Sequence, residues 1–229
     1  MRRFKATGTI AALAWILFGI TLAIRLIAGD GGLLAAEMLR SAPPEATGLP
    51  AEEYPGVGAM TAEYLTGKRD MFRYEAPRAT GEAETTRTDV FQPQEAAHMA
   101  DCRALIRLDT IVCAVCLGIA AVLTAAGMLR RNAREPFLRG VLRGLRIFLC
   151  MAGFLLAWAL IDFDGLFVTF HRIAFTNDGW LLNPRTDLLI RLMPESFFIR
   201  LGLIGASWAI AGPLLLETGA RILLKKERQ

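Results

Sequence analysis

Cysteine is scarce in this chain, four residues in 229, and no four soft ligands cluster. Cys102 and Cys150 stand alone, and Cys113-Ala-Val-Cys116 has the form of a zinc or redox half-site without a second pair to complete a tetrahedral shell. Lying inside an apolar stretch, that pair reads as small polarizable packing residues. Histidine is scarcer still, with only His98 and His171. There is no internal repeat or low-complexity tract, and the apolar stretches hold few ionisable residues, so a transport path has little from which to be built. Charge is missing over long intervals. With 54% hydrophobic residues and yet 48 charged side chains, 26 basic and 22 acidic, the charges must be segregated along the sequence.

What fills those intervals is four apolar runs, each able to cross about 30 Å of hydrocarbon with roughly 20 helical residues. They predict membrane-crossing helices at 6–28, 108–129, 145–162 and 201–224. The fold class expected is all-α integral membrane, with an extracytoplasmic cap. The start, Met1-Arg-Arg-Phe-Lys5, resembles a secretory signal, but the apolar segment behind it exceeds a signal core and lacks a small-x-small cleavage site, so it reads as a retained first helix.

Orientation follows from the basic residues. Arg2, Arg3 and Lys5 precede the first run, and Arg130, Arg131, Arg134, Arg139, Arg143 and Arg146 join the second to the third against a single Glu135. Arg221, Lys225, Lys226 and Arg228 close the chain. Four crossings put all three groups on one side, which the positive-inside rule makes the cytoplasm. The net charge of +4 is thereby explained without nucleic acid. The reading is of a multi-pass membrane protein with both termini and a basic loop, 130–144, inside, a tail at 225–229, and two outer segments, 29–107 and 163–200.

The first outer segment is too long for a plain connection, and its Pro and Gly turns separate patterned stretches. Met60 to Leu65 predicts a helical turn or two; Met71 to Tyr74 and Thr85 to Phe91 predict strands. From Gln94 onward no Gly or Pro interrupts the run into the second apolar stretch, so one helix is expected to begin outside and continue into the membrane. Spacings of three and four put Glu95, His98, Asp101 and Cys102 on one of its faces.

Histidine is the side chain suited to proton transfer near neutral pH, and both histidines fall in the outer segments. His171 lies in Phe167-Val-Thr-Phe170-His171-Arg172-Ile-Ala-Phe175, followed by Asn177-Asp178-Gly-Trp180, Asp187 and Pro194-Glu195-Ser-Phe197-Phe198. Trp180, Phe197 and Phe198 suit anchoring at the lipid-water boundary. Asp187 and Glu195 are carboxylates near hydrocarbon and need partners; Arg172, Arg191 and Arg200 are the cations at hand.

Taken together, Glu95-Ala-Ala-His98-Met-Ala-Asp101, Phe170-His171, Asn177-Asp178, Trp180, Asp187-x-Leu-Ile190 and Pro194-Glu195-x-Phe-Phe198 resemble the bacterial lipoprotein intramolecular transacylase family. The likeness takes in the four-helix layout, the large first outer loop and Tyr64-Leu65. Two positions depart from the pattern: Cys102 stands where an aliphatic residue is expected, and Ala174 interrupts an aromatic run.

The resemblance implies acyl transfer within one molecule, from the sn-2 ester of a diacylglyceryl-modified N-terminal cysteine to that cysteine's own amino group. The implied partners are such lipoproteins and membrane lipids, with no cofactor and no metal. His98 and His171 become the acid-base pair, in an order the sequence leaves open. Glu95 or Asp101 would orient His98, while Asp187 and Glu195 would hold the second outer segment against it. Arg172, or backbone amides near Asn177 and Asp178, would stabilise an oxyanion, and Phe170, Phe175 and Trp180 would line the substrate groove. Two alternatives stay open. Cys102 could be an acyl-accepting nucleophile activated by His98 one turn away, or the two histidines with Glu95 or Asp187 could hold a transition metal in a binding or sensing protein.

Overall fold

The computed structural model describes residues 2–77 and 87–227. Four of its helices are long and apolar enough to cross a membrane: α1 (Arg2–Gly29), α5 (Pro93–Leu129), α6 (Arg131–Ile161) and α9 (Glu195–Lys226). Between α1 and α5 come α2 (Gly31–Ser41), α3 (Pro44–Thr47), α4 (Tyr54–Leu65) and an antiparallel strand pair, β1 (Glu75–Pro77) and β2 (Arg87–Asp89). Between α6 and α9 lie α7 (Phe163–Ala174) and α8 (Leu188–Leu192). The protein is thus an all-α integral membrane protein with one minor sheet among its described residues.

The helices form two compact units. The first comprises Met1–Ala23, Asp109–Leu166 and Gly205–Gln229. Its core places Ala11, Ala12 and Ile16 of α1 with Phe137, Leu138, Val141 and Leu145 of α6 and Ala220 of α9. The approach of α1 to α6 is set by Gly140, where a Cβ would lie 2.1 Å from the Lys5 carbonyl oxygen. Small residues at such a contact let dispersion and weak polar bonds act between helices in lipid, where no hydrophobic force does. Thr9 Oγ1 donates to Gly140 O at 3.1 Å, and Trp15 Nε1 to Thr124 Oγ1 at 3.1 Å. Cys113 and Cys116 are buried, whereas Val122, Phe154, Leu160 and Leu215 are exposed, a surface suited to lipid as solvent.

The stretch expected as a basic loop, 130–144, is helical from Arg131 onward. Ala133, Phe137, Leu138, Val141 and Leu145 recur at helical spacing and are all buried, so this amphipathic stripe overrides the polar composition.

The second unit comprises Ile24–Leu108 and Phe167–Ile204. Its core holds Leu34 and Met38 of α2, Val57 and Met60 of α4, Phe72, Phe91, Met99 of α5, Leu192 and Phe197. α2 and α4 cross closely at Gly58, where a Cβ would meet Gly31 O at 2.3 Å. Buried polar groups pair up: Tyr54 Oη donates to Ala42 O at 2.5 Å, and Glu37 holds Arg200 Nε at 2.6 Å. Glu53 accepts from Tyr74 Oη at 2.6 Å and from Arg87 at 2.8 and 3.0 Å.

Two local expectations shift. The helix around Met60–Leu65 begins earlier, at Tyr54, with Pro55 in its first turn where a missing N–H costs nothing. The strand expected at Met71–Tyr74 falls at Glu75–Pro77, because Phe72 is committed to the core and the opposing ladder is Arg87–Asp89, paired as Glu75 with Asp89 and Pro77 with Arg87. Thr85 and Thr86, expected to open the second strand, lie outside the described residues.

Candidate active site

The site is built within the second unit, beginning at the N-terminus of α5. Gln92 precedes the helix, and Glu95, at its third position, reaches back to accept the Gln92 N–H at 2.6 Å, one half of a capping box. Its other oxygen accepts from the Leu189 N–H at the start of α8. One fully buried carboxylate therefore ends two helices. Each helix start leaves N–H groups without intrahelical partners, and Glu95 satisfies one from each. It does not orient His98 as expected; a glutamate at this position finds the unpaired amides of its own first turn more readily than a ring one turn further on.

Asp187, also fully buried, accepts from Gln94 Nε2 at 2.7 Å, Asn183 N at 2.8 Å and Thr186 Oγ1 at 2.8 Å. Burial pushes its carboxyl up, but these hydrogen bonds and the charge of Arg191 outweigh that and hold it below the usual carboxylate range. Asp187 thereby fastens the segment after α7 to α5. Arg191 itself donates to the main-chain oxygens of Asp187 and Thr47, both at 3.2 Å. Glu195 takes no part in that fastening: it is exposed in the first turn of α9, and Arg200 is engaged with Glu37.

His98 and His171 come together. Their ring centroids are 6.2 Å apart with planes at 31°, and Phe175 touches both, at 5.1 Å from His98 and 5.5 Å from His171. Aromatic rings enclose His171: Phe167 at 4.1 Å, Trp180 at 5.1 Å and Phe170 edge-on at 5.4 Å. His171 Nδ1 lies 2.8 Å from Phe167 O. A carbonyl can only accept, so Nδ1 carries the proton and Nε2 is left as the basic nitrogen. Burial lowers the affinity of His171 for a second proton, partly offset by the Phe167 carbonyl, so the ring remains neutral to a lower pH than free imidazole.

The rest of the expected face is in place but differently engaged. Asp101 accepts from Asn177 Nδ2 at 2.9 Å, and Asn177 Oδ1 accepts the Gly179 N–H at 2.8 Å. Asp101 therefore pins the turn after α7 and acts on His98 through its charge, with no hydrogen bond between the two. Arg172, Phe175, Thr176, Asn177, Asp178, Trp180 and Leu181 line a cavity of about 250 Å³ beside it. Cys102 Sγ lies 3.6 Å from His98 Nε2. Among the described residues no three His, Cys, Asp or Glu side chains come together as a set that could hold a metal ion.

Three contributors escaped the sequence reading: the Phe167 carbonyl, the Leu189 amide and Gln94. The first had a signal, since His171 is four residues beyond Phe167 and a helical side chain reaches back to that carbonyl. It became visible only once 163–174 was known to be helix.

The fold and the paired imidazoles define a class: an all-α membrane protein with a two-histidine site walled by aromatic rings. The chain belongs to the lipoprotein intramolecular transacylase family, whose model, described as lipoprotein intramolecular transacylase Lit, matches residues 9–198. It is accordingly an acyltransferase. No curated protein sequence matches it. Its fold is similar to that of the membrane-integral transacylase Lit from Bacillus cereus, at 22% identity and a TM-score of 0.76 over 100% of this chain and 99% of that one. It is also similar to two variants of the Bacillus cereus protein in which a histidine is replaced. The alanine variant has 21% identity and a TM-score of 0.70 over 99% of this chain and 94% of that one. The arginine variant has 20% identity and a TM-score of 0.68 over 99% and 93%.

The double cap makes a prediction. Hydrogen bonds to charged groups contribute about 1.5–3 kcal/mol each, so Glu95→Ala, which loses both, should destabilise the protein more than Glu95→Gln, which keeps one acceptor oxygen. Thermal unfolding in detergent reads this as a graded fall in midpoint; equal midpoints would show that the caps do not matter.

Proposed function

We propose that the protein moves the sn-2 acyl chain of an S-diacylglyceryl N-terminal cysteine to the α-amino group of that cysteine, giving an N-acyl, lyso-glyceryl lipoprotein. The observation that carries this is the state of His171: a buried ring whose Nδ1–H is committed to Phe167 O and whose Nε2 is free to take a proton, with a second imidazole beside it.

The chemistry balances with these groups. The α-amine has an unperturbed pKa of about 7.7–8.0 and is mostly protonated at pH 7, so a base is needed. The amine nitrogen attacks the ester carbonyl carbon, and His171 Nε2 takes the proton released from nitrogen. Hydrogen-bond donors hold the oxyanion; in this reading they are Arg172, which lines the cavity, the backbone near Asn177 and Asp178, and His98. The C–O bond to glycerol then breaks, and the departing alkoxide takes the proton from the His171 imidazolium. An amide and a glycerol hydroxyl result; the proton that His171 takes from the attacking nitrogen ends on the glycerol oxygen, and an amine that starts as ammonium first gives its extra proton to solvent. Donor and acceptor share one molecule, so effective molarities of up to about 10⁵–10⁸ M are available once the two are aligned.

The aromatic rings of Phe170, Phe175 and Trp180 form the apolar wall along which the substrate lies. In this reading the protein resides in the bacterial inner membrane with both termini in the cytoplasm, as the basic segments require, and the site is on the outer face, where diacylglyceryl-modified lipoproteins and membrane lipids meet it.

Expression in a bacterium that lacks lipoprotein N-acylation, followed by mass spectrometry of a lipoprotein's N-terminal peptide, tests the reading. An N-acyl, lyso-glyceryl peptide is expected. An unchanged diacylglyceryl peptide with a free amine, in cells that contain the protein, would refute it.

A further inference from the structure

His98 is 8% exposed, and its Nδ1 is buried with no hydrogen-bond partner. Its other nitrogen, Nε2, has one neighbour of note, the Cys102 thiol at 3.6 Å, one helical turn along α5 and packed against the core of the second unit. An ordinary thiol, with a pKa of about 8.5, is protonated at neutral pH and has a hydrogen to donate. Imidazole nitrogen is a strong acceptor and sulfur a weak one, so the pair is better made as S–H···Nε2 than as Nε2–H···S. A neutral imidazole has a single N–H. If Nε2 accepts, that proton must be on Nδ1.

We infer that Cys102 is a positioning residue that sets the tautomer of His98, holding the ring's proton on Nδ1 and so making it a hydrogen-bond donor rather than a second base. The two rings then differ in what they offer. His171 has its Nδ1–H engaged by Phe167 O and presents a basic Nε2, whereas His98 has Nε2 engaged by the thiol and retains an unengaged Nδ1–H. An aminolysis needs both, one acceptor for the amine proton and one donor for the oxygen that becomes an oxyanion. The Nδ1–H has no protein partner, and a substrate oxygen that uncovers the ring on binding would satisfy it. An aliphatic side chain at position 102 could not direct the tautomer. The catalytic consequence rests on the transacylase reading; the tautomer does not.

The chain has two histidines, so protein labelled with nitrogen-15 only in histidine shows two imidazoles. Long-range nitrogen–proton correlations in detergent, at a pH where both rings are neutral, distinguish the Nδ1–H from the Nε2–H form. Both rings are expected as Nδ1–H in the wild type. In Cys102→Ala the His98 signals should move to a mixture or to Nε2–H while those of His171 stay unchanged, and Cys102→Ser, which keeps a donor, should restore the original pattern. Transacylation by Cys102→Ala should fall about 3- to 10-fold in kcat, the scale of one ordinary hydrogen bond, with KM held. A wild-type His98 protonated on Nε2, or an unchanged His98 tautomer in Cys102→Ala, would overturn the inference. So would an acyl adduct on Cys102. Should the alanine variant fail to fold, Cys102→Val provides the same readout. The spectra need no turnover, so failure of the tautomer assignment and failure of the transacylase reading are separate results.

Discussion

The His171→Ala variant is expected to accumulate in the membrane at near-normal abundance and to catalyse acyl transfer about 10²- to 10⁴-fold more slowly, the usual contribution of a positioned general base. Abundance should hold because insertion is driven by the four apolar runs, which the substitution does not touch. Activity should fall because no other group near the reacting amine has the right state: His171 alone is fixed with Nδ1–H on a carbonyl and Nε2 free. Raising the pH should restore part of the rate, since the amine then loses its proton to solvent as pH passes about 7.7–8.0.

A purely structural histidine predicts another pattern, with lower abundance, no rescue by pH and normal turnover per surviving molecule. Stability adds an independent check. Burial makes the folded His171 a weaker base than the unfolded one, so the unfolded state binds more protons, and wild-type stability is lost as pH falls from about 6.5 toward the lower folded value. His171→Ala should lack that acid sensitivity. Rates from quantitative mass spectrometry of the N-terminal peptide, set beside unfolding midpoints at several pH values, measure both.

The parts of this site that could be read from sequence are those encoded by scarcity and by long-range composition. Two histidines cannot be confused with many, and four uncharged runs longer than a signal core announce membrane helices. The shared face of Glu95, His98, Asp101 and Cys102 followed from helical spacing, and the residues quoted around the two histidines sufficed to point to the family. The partners of those residues were hidden. Glu95 bonds an amide at Leu189, and Asp101 an amide at Asn177, contacts across 94 and 76 residues that periodicity cannot supply.

Short elements were lost for a different reason. α7 spans 12 residues, too few to cross a membrane, so 163–174 read as interfacial loop even though Asp162 accepts the Gly165 N–H at 2.9 Å and caps its first turn. An aspartate three residues before a glycine, ahead of an amphipathic run, was the available signal. The displaced strand has a tertiary cause. The Tyr74 hydroxyl is drawn to Glu53, and Arg87 to the same carboxylate, so the hairpin's position is set by a buried acid 21 and 34 residues away.

Replacement of His98 separates donor from base. His98→Ala should lower the rate by about 10²- to 10³-fold, the effect of removing one oxyanion donor. If His98 acts through Nδ1–H, asparagine should do better than alanine, because its side-chain N–H lies at nearly the same distance from the backbone as Nδ1 and can donate, although it cannot accept a proton from an amine. His98→Asn should therefore retain activity between wild type and His98→Ala, and neither variant should recover at high pH, since deprotonating the amine does nothing for a missing donor. A base at position 98 reverses each result: asparagine would be as poor as alanine, and both would recover as pH passes about 7.7–8.0. The same comparison at position 171 should show no advantage for asparagine, because the nitrogen needed there accepts. Opposite responses to asparagine and to pH at two rings 6.2 Å apart would establish that the pair divides proton acceptance from oxyanion binding.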